Sequence, residues 1–288
     1  MGVWCSQLQW QPAALAREAV ASFESLGFGA VWVGEATGKE ALTHSALLLA
    51  GGRRIVVATG IASIWARDPM AMANGARTLA EAYPDRFLLG LGVSHPFLNE
   101  PRERPYERPF EHMRAYLEAM DRAPFAGPPV EAPARVLAAL GPKMLELARD
   151  RAAGAHPYFV PVEHTAFARR ILGPDPLLAP EQAVVLATDA DVARVVARKH
   201  TASYLALKSY SDNLRRLGWG EQDLADGGSD GLVDALVARG GVEAVVDRVR
   251  AHVDAGADHV ALRILGEDPK RLPMRELREL AAALPAFR

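Results

Sequence analysis

The stretch "DRFLLGLGVSHPFLNE", residues 85–100, decides the fold. A charged pair, Asp85 and Arg86, leads into the apolar Phe87, Leu88 and Leu89. The run then thins to Gly90, Gly92 and Ser94 and closes on His95 and Pro96. No polar residue alternates within "FLLGLG". A half-buried strand alternates apolar with polar, whereas a strand covered on both faces reads as a continuous apolar run. The stretch is therefore read as a strand within a parallel sheet, ending in small residues and an imidazole in place of an ordinary polar turn.

Runs of the same kind recur along the chain: "GVWCS" (2–6), "AVWVGE" (30–35), "RIVVATG" (54–60), "ARVLAAL" (134–140), "AHPYFV" (155–160), "QAVVLAT" (182–188) and "DHVALRIL" (258–265). Between most of them lie segments with helical spacing, such as Leu15, Ala19, Phe23 and Leu26 ahead of the second run. Asp68 and Pro69 read as the N-cap and first residue of a helix, and Gly141 and Pro142 open another. Eight strands alternating with helices in 288 residues predict an α/β fold, a (β/α)8 TIM barrel. A doubly wound open sheet is the competing architecture. From 189 to 257 two or three helices intervene before the last strand, including "SYSDNLRRLGW" and "GLVDALVARGG". The turn "DGGSDG" (226–231) is too short to separate domains, so one domain over 1–288 is expected.

Bulk properties exclude several classes. A formal net charge of -2 argues against a nucleic-acid or membrane-surface binder. The single cysteine, Cys5, allows neither an intrachain disulfide nor a thiolate metal cluster and reads as a small buried filler. The start "MGVWCSQLQW" lacks the pattern of a signal peptide, and no apolar run reaches the roughly 18 residues of a membrane span. A cytoplasmic protein is expected. The spacings H-x-H, H-E-x-x-H and C-x-x-C are absent, so no metal site is expected. The P-loop and the G-x-S-x-G elbow are absent as well.

In a parallel barrel the C-terminal strand ends converge on one face, which carries the site. Here those ends supply Glu35, then Thr59, Gly60 and Ile61, then Gly92, Val93, Ser94 and His95, then Leu140 and Gly141, then Val160 and Pro161. Glycines at such a mouth let a flat ligand approach the backbone closely. They could equally relieve crowding inside the barrel, Glu35 could be a structural acceptor, and His95 could be a solvated loop residue. Helices opening at Pro142 and near Glu163 direct unpaired N–H groups toward the mouth, with Lys143, His164 and Thr165 at their starts as potential phosphate partners. Lys143 could also be a surface lysine and Thr165 a simple cap. Trp4, Trp32 and Trp65 could line a pocket or fill the core.

The stretches "ESLGFGAVWVGE", "VATGIASIWARDPMAMANGARTLAEAYPDRFLLGLGVSH", "YERPFEHMRAYLEAMD" and "LGPKMLELARDRAAGAHPYFVPVEHT" resemble the luciferase-like oxidoreductases. The likeness is greatest to the branch that uses the deazaflavin coenzyme F420. It continues through "YLALKSYSDNLRRLGW" to "AHVDAGADHVALRIL". The resemblance implies the TIM barrel with a helical insertion at about 203–240 before the last strand. It implies 8-hydroxy-5-deazaflavin across the mouth, backed by a bulge with a non-proline cis peptide at Thr59, Gly60 and Ile61. Glu35 would touch the ring edge, Gly92, Val93 and Ser94 the ring, and Leu140, Gly141, Pro142 and Lys143 the phosphate side. Val160, Pro161, His164 and Thr165 would face the anionic tail. It also implies a homodimer acting on a small-molecule substrate. The chain departs from the sugar-phosphate dehydrogenases of the superfamily: Ala36 replaces a histidine after the strand-two acid, and His95 replaces a glutamate after strand four.

The function so implied is hydride transfer between the deazaflavin and a small apolar substrate; His95 is read as the proton donor or acceptor because an imidazole's ordinary pKa of about 6.5 suits transfer near neutral pH, with Glu35 beside it. The alternatives are an FMN-dependent monooxygenase using molecular oxygen and a non-catalytic coenzyme-binding protein.

Overall fold

A computed structural model describes residues 1–187 and 189–283. Its strands are β1 (Gly2–Trp4), β2 (Ala30–Val33), β3 (Val56–Thr59), β4 (Ala62–Ser63), β5 (Phe87–Gly92), β6 (Arg135–Leu137), β7 (Gly154–Ala155), β8 (Leu177–Leu178), β9 (Glu181–Leu186), β10 (Val237–Gly240) and β11 (Ala261–Ile264). Every pairing among them is parallel. The order β1-β2-β3-β5-β6-β7-β8 rises without the reversal that marks a doubly wound sheet. On its other side β1 pairs with β11, and β11 pairs with β9, which follows β8 after only Ala179 and Pro180. The result is an α/β fold with a curled parallel sheet wrapped by helices.

The period of two along each strand separates the layers. Ala30 and Trp32 on β2 point to the concave side and pack there with Trp4, Ala58, Val136, Ala179 and Ala261. Small residues make room for the two indoles, and Trp32 stacks on His156 at 4.1 Å between ring centroids. Val31 and Val33 point outward, into the larger core shared with the helices. The helix Pro69–Ala82 begins as expected: the Asp68 carboxylate accepts from the Ala71 N–H at 3.0 Å. The helix Pro142–Arg151 has Gly141 as its N-cap.

Several strands are shorter than their apolar runs. Of "AHPYFV" only Ala155 is in a strand, Gly154–Ala155, because Pro157 has no N–H to donate and Phe159 takes φ 54. "GVWCS" stops at Trp4, where Ser6–Trp10 turns into a 3-10 helix. "QAVVLAT" becomes Glu181–Leu186; its last residue, Thr188, and residues 284–288 lie outside the described part. The segment "GLVDALVARGG" divides into a helix, Asp230–Leu236, and β10, whose four residues pair with Ala183–Leu186. Pairing with a preformed strand overrides local helical spacing there. The 203–240 segment is therefore not wholly helical. In the first helix, Ala13–Ser25, the buried face runs through Ala16, Ala19, Val20 and Phe23, and Leu15 is exposed.

Candidate active site

The C-terminal ends of the strands open on a cleft of about 610 Å³. Of the residues expected there, Glu35, Gly60, Ile61, Val93, Ser94, His95, Leu140 and Gly141 line it. Its floor is made where β3 breaks off at Thr59 and the chain resumes as β4. The peptide between Gly60 and Ile61 is cis. The Gly60 N–H donates to Val33 O at 2.8 Å, and the Glu35 N–H donates to Ile61 O at 3.1 Å, so β2 grips the bulge from both sides. Position 60 has no space for a side chain, since a Cβ there would stand 2.7 Å from Trp4 Nε1 and 2.9 Å from His156 Nε2.

The Glu35 carboxylate is buried and fully engaged. It accepts from Ser63 N at 2.8 Å and Ala41 N at 3.2 Å and is paired with the Arg67 guanidinium. Arg67 is held in turn by Glu40 at 2.6 Å. These bonds use the carboxylate to fasten the bulge. Thr59 lies inside the sheet: its hydroxyl donates to Gly90 O at 2.7 Å and accepts from Gly90 N at 2.8 Å. Gly92 seats Ile61, whose Cγ1 would be 2.5 Å from a Cβ at position 92. At Gly92 the absence of a side chain relieves crowding.

Aromatic groups pin the end of β5. Trp65 Nε1 donates to Val93 O at 2.8 Å, and the Tyr106 hydroxyl donates to Ser94 O at 3.2 Å. Beyond them the His95 ring lies 6.0 Å from Phe97 and 5.4 Å from Tyr210. Partial burial lowers its pKa from the ordinary 6.5, which leaves the imidazole neutral near pH 7.

Leu140 and Gly141 form the wall at the start of helix Pro142–Arg151, while Pro142 and Lys143 sit outside it and are exposed. Arg216, at the end of helix Lys208–Arg216, brings its guanidinium to 3.7 Å from where a Gly141 Cβ would stand. His164 and Thr165 do not reach the cleft, and neither do Val160 and Pro161. The helix starts at Val162, so the two polar residues lie inside its first turn and face the core. His164 Nε2 donates to Leu140 O at 2.9 Å. The Thr165 hydroxyl donates to His252 Nδ1 at 2.8 Å, and His252 Nε2 donates to Gln182 Oε1 at 2.8 Å.

Tyr210, from the inserted segment, also lines the cleft, as do His156, Tyr158, Tyr204 and Arg263, which the sequence reading did not single out. His156 donates from Nδ1 to Ala179 O at 2.6 Å, and burial holds its pKa down at about 4. The ring is thus neutral, and among the described residues its Nε2 is an acceptor without a partner, as Trp4 Nε1 is a donor without one. Arg263 is a lone charge inside the apolar run "VALRIL", a signal that was available. Tyr204 and Tyr210 meet only because a break separates their helices, and no spacing reports that.

The fold and the bulge-floored cleft define a parallel α/β protein of the barrel type, with its site at the strand C-termini. The model of the luciferase-like monooxygenase family matches residues 2–259, and the chain belongs to that family. A protein of Mycobacterium tuberculosis, whose name assigns it provisionally to the coenzyme F420-dependent oxidoreductases, is 36% identical over 96 residues. That match covers 33% of this chain and 26% of the relative's length. Among solved structures, an F420-dependent secondary alcohol dehydrogenase in complex with an F420-acetone adduct has a TM-score of 0.78 at 15% identity, covering 100% of both chains. The oxygenating constituent of 3,6-diketocamphane monooxygenase from Pseudomonas putida, in complex with FMN, has a TM-score of 0.70 at 16% identity over 98% of this chain and 96% of its own. At these identities the likeness is one of fold.

Proposed function

We propose that the chain is a coenzyme F420-dependent oxidoreductase that moves a hydride between the deazaflavin and a small organic substrate. The observation that carries this reading is the floor of the cleft. A bulge with a glycine at its centre is fastened by Glu35 and, among the described residues, flanked by an unpaired donor, Trp4 Nε1, and an unpaired acceptor, His156 Nε2. The residues present fit a flat group with a polar edge. They also fit an anionic tail, because the N-terminus of helix Pro142–Arg151 and the Arg216 guanidinium meet at Gly141. The name of the mycobacterial relative and the coenzyme held by the alcohol dehydrogenase of the same fold support the choice of coenzyme.

The deazaflavin, when bound, supplies the hydride chemistry at its central ring carbon. The chain's own groups do the rest. Gly60, Ile61, Val93 and Ser94 would hold the ring, while Gly141, Lys143 and Arg216 would hold the phosphate side. His95 is the group that moves a proton. A neutral imidazole starts as an acceptor, which suits removal of a hydroxyl proton as a hydride leaves the same substrate. The same reading takes in a cytoplasmic homodimer built as one unit over 1–288, with the segment 203–240 as its insertion.

An FMN-dependent monooxygenase is the second reading, favoured by the FMN-bound neighbour of the same fold. Mixing the protein with oxidised F420 and a panel of secondary alcohols, without oxygen, should bleach the coenzyme's visible absorbance. Oxygen uptake with reduced FMN, and no bleaching of F420, would replace the first reading with the second.

A further inference from the structure

Arg263 stands near the end of β11, and no acid among the described residues meets it. Among the described residues its guanidinium makes one hydrogen bond, from Nη1 to the Tyr204 hydroxyl at 2.9 Å, and no ion pair. That hydroxyl shares a 2.8 Å hydrogen bond with Tyr158 Oη. The rings of Trp4, Tyr158 and Tyr204 surround the cation at 4.8, 5.5 and 5.8 Å. Two nearby acids supply no counter-charge. Burial keeps the Cys5 thiol protonated, its pKa pushed up to about 12. On the paired strand β9, Glu181 stands opposite Ala261, one pleat from Arg263, and burial raises its pKa to about 8.

An arginine carries five N–H donors in a fixed fork, and the aromatic rings satisfy its faces but not its edge. Sequestering such a cation without a partner costs several kcal/mol. Here the cost is large enough to lower the guanidinium's pKa to about 10. Arg263 lines the cleft together with Tyr158, Tyr204, Tyr210 and Leu207, so a ligand there is within reach of the donors the protein leaves unused. A guanidinium so placed can receive an oxyanion from a ligand in the cleft. The fork matches a carboxylate in two-point contact, and the surrounding walls are flat and apolar.

We infer that Arg263 is a substrate-binding residue: the substrate carries a carboxylate, held by the open edge of the guanidinium, on a flat apolar body packed among Tyr158, Tyr204 and Tyr210. The inference deepens the functional reading above and rests on it for the word substrate. The recognition itself is measurable on the full chain without coenzyme.

Calorimetric titration of the protein with trans-cinnamate and with its neutral isostere, trans-cinnamamide, tests it. The carboxylate should bind about tenfold or more tightly than the amide, as befits a charge-assisted pair in a sheltered site. Arg263→Met should abolish that preference without lowering the melting temperature, since an apolar residue of similar length removes an unpaired cation. Arg263→Lys should keep part of the preference, having the charge but not the fork. Equal binding of acid and amide, or a preference that survives in Arg263→Met, overturns the proposal. So does a Met variant that loses coenzyme affinity while keeping the preference, because the guanidinium then serves the coenzyme. If the wild-type chain binds neither F420 nor FMN but prefers cinnamate through Arg263, the coenzyme reading fails and the anion site stands.

Discussion

The carboxylate of Glu35 takes the backbone N–H of Ser63 at 2.8 Å, tying the end of β2 to the far side of the bulge in the next strand. The same carboxylate neutralises Arg67, whose side chain is only 11% exposed. Glu35→Gln keeps an acceptor for Ser63 but leaves Arg67 with Glu40 alone. Breaking a buried pair costs about 3–5 kcal/mol, and the surviving Glu40 contact places this case at the low end. Denaturant unfolding should show that loss, and coenzyme titration should show weaker binding as the bulge loosens. A variant as stable as wild type would remove Glu35 from its anchoring role.

Gly60→Ala puts a methyl group where Trp4 Nε1 and His156 Nε2 already stand at 2.7 and 2.9 Å. Both are ends of rings packed among neighbours, so the floor itself must shift. Coenzyme affinity should fall about tenfold, equivalent to roughly 1.4 kcal/mol. Equilibrium titration of the variant beside wild type checks this, and unchanged affinity would mean that the bulge is not the ring's seat.

His95→Gln should lower turnover about a hundredfold, within the usual range for loss of a general base, while leaving coenzyme affinity nearly intact. Burial lowers the His95 pKa from 6.5. In the direction of alcohol oxidation, activity should therefore hold as pH falls to 6.5 and drop only below it, once the imidazole binds a proton. The acid limb should disappear in the variant. A limb unchanged in His95→Gln would assign it to another group.

Buried titratable groups set the pH dependence of stability with opposite signs. His44, His156, His164 and His200 are held at about 4, and His252 and His259 at about 3, all chiefly by burial. The unfolded chain binds those protons first, so stability is full above about 6.5 and is lost as pH falls toward 4. Glu181 is raised to about 8. Its folded form keeps the proton longer, so its contribution is full below the ordinary carboxyl pKa of 4.5 and declines as pH rises through 8. The histidines outnumber the one acid, and the melting temperature should peak at about pH 7. Glu181→Gln should flatten the alkaline decline, which one proton makes at most about 1.4 kcal/mol per pH unit. A peak below pH 5 would contradict these assignments.

Legibility in the sequence followed the physics of each feature. Apolar runs covered on both faces announced the parallel sheet, and "FLLGLG" became β5 over the same six residues. Two-residue strands such as Leu177–Leu178 carry too little pattern to be read. Val237–Gly240 read as helix because only its pairing with Ala183–Leu186 makes it a strand. In the site, the bulge at Gly60 and Ile61 and the wall from Val93 to His95 were legible as strand ends. His164 and Thr165 were misplaced because a helix start gives position but not rotation. The cage around Arg263 joins β1, the segment after β7, an inserted helix and β11, a meeting of distant residues that no local spacing reveals.

We propose that the Gly60–Ile61 floor seats a deazaflavin. Equilibrium binding of F420 and FMN to the same purified protein, measured side by side, tests it most directly. Saturable binding of F420, at least about tenfold tighter than FMN and weakened in Gly60→Ala, is the predicted result. Preferential binding of FMN, or no binding of either, would contradict it.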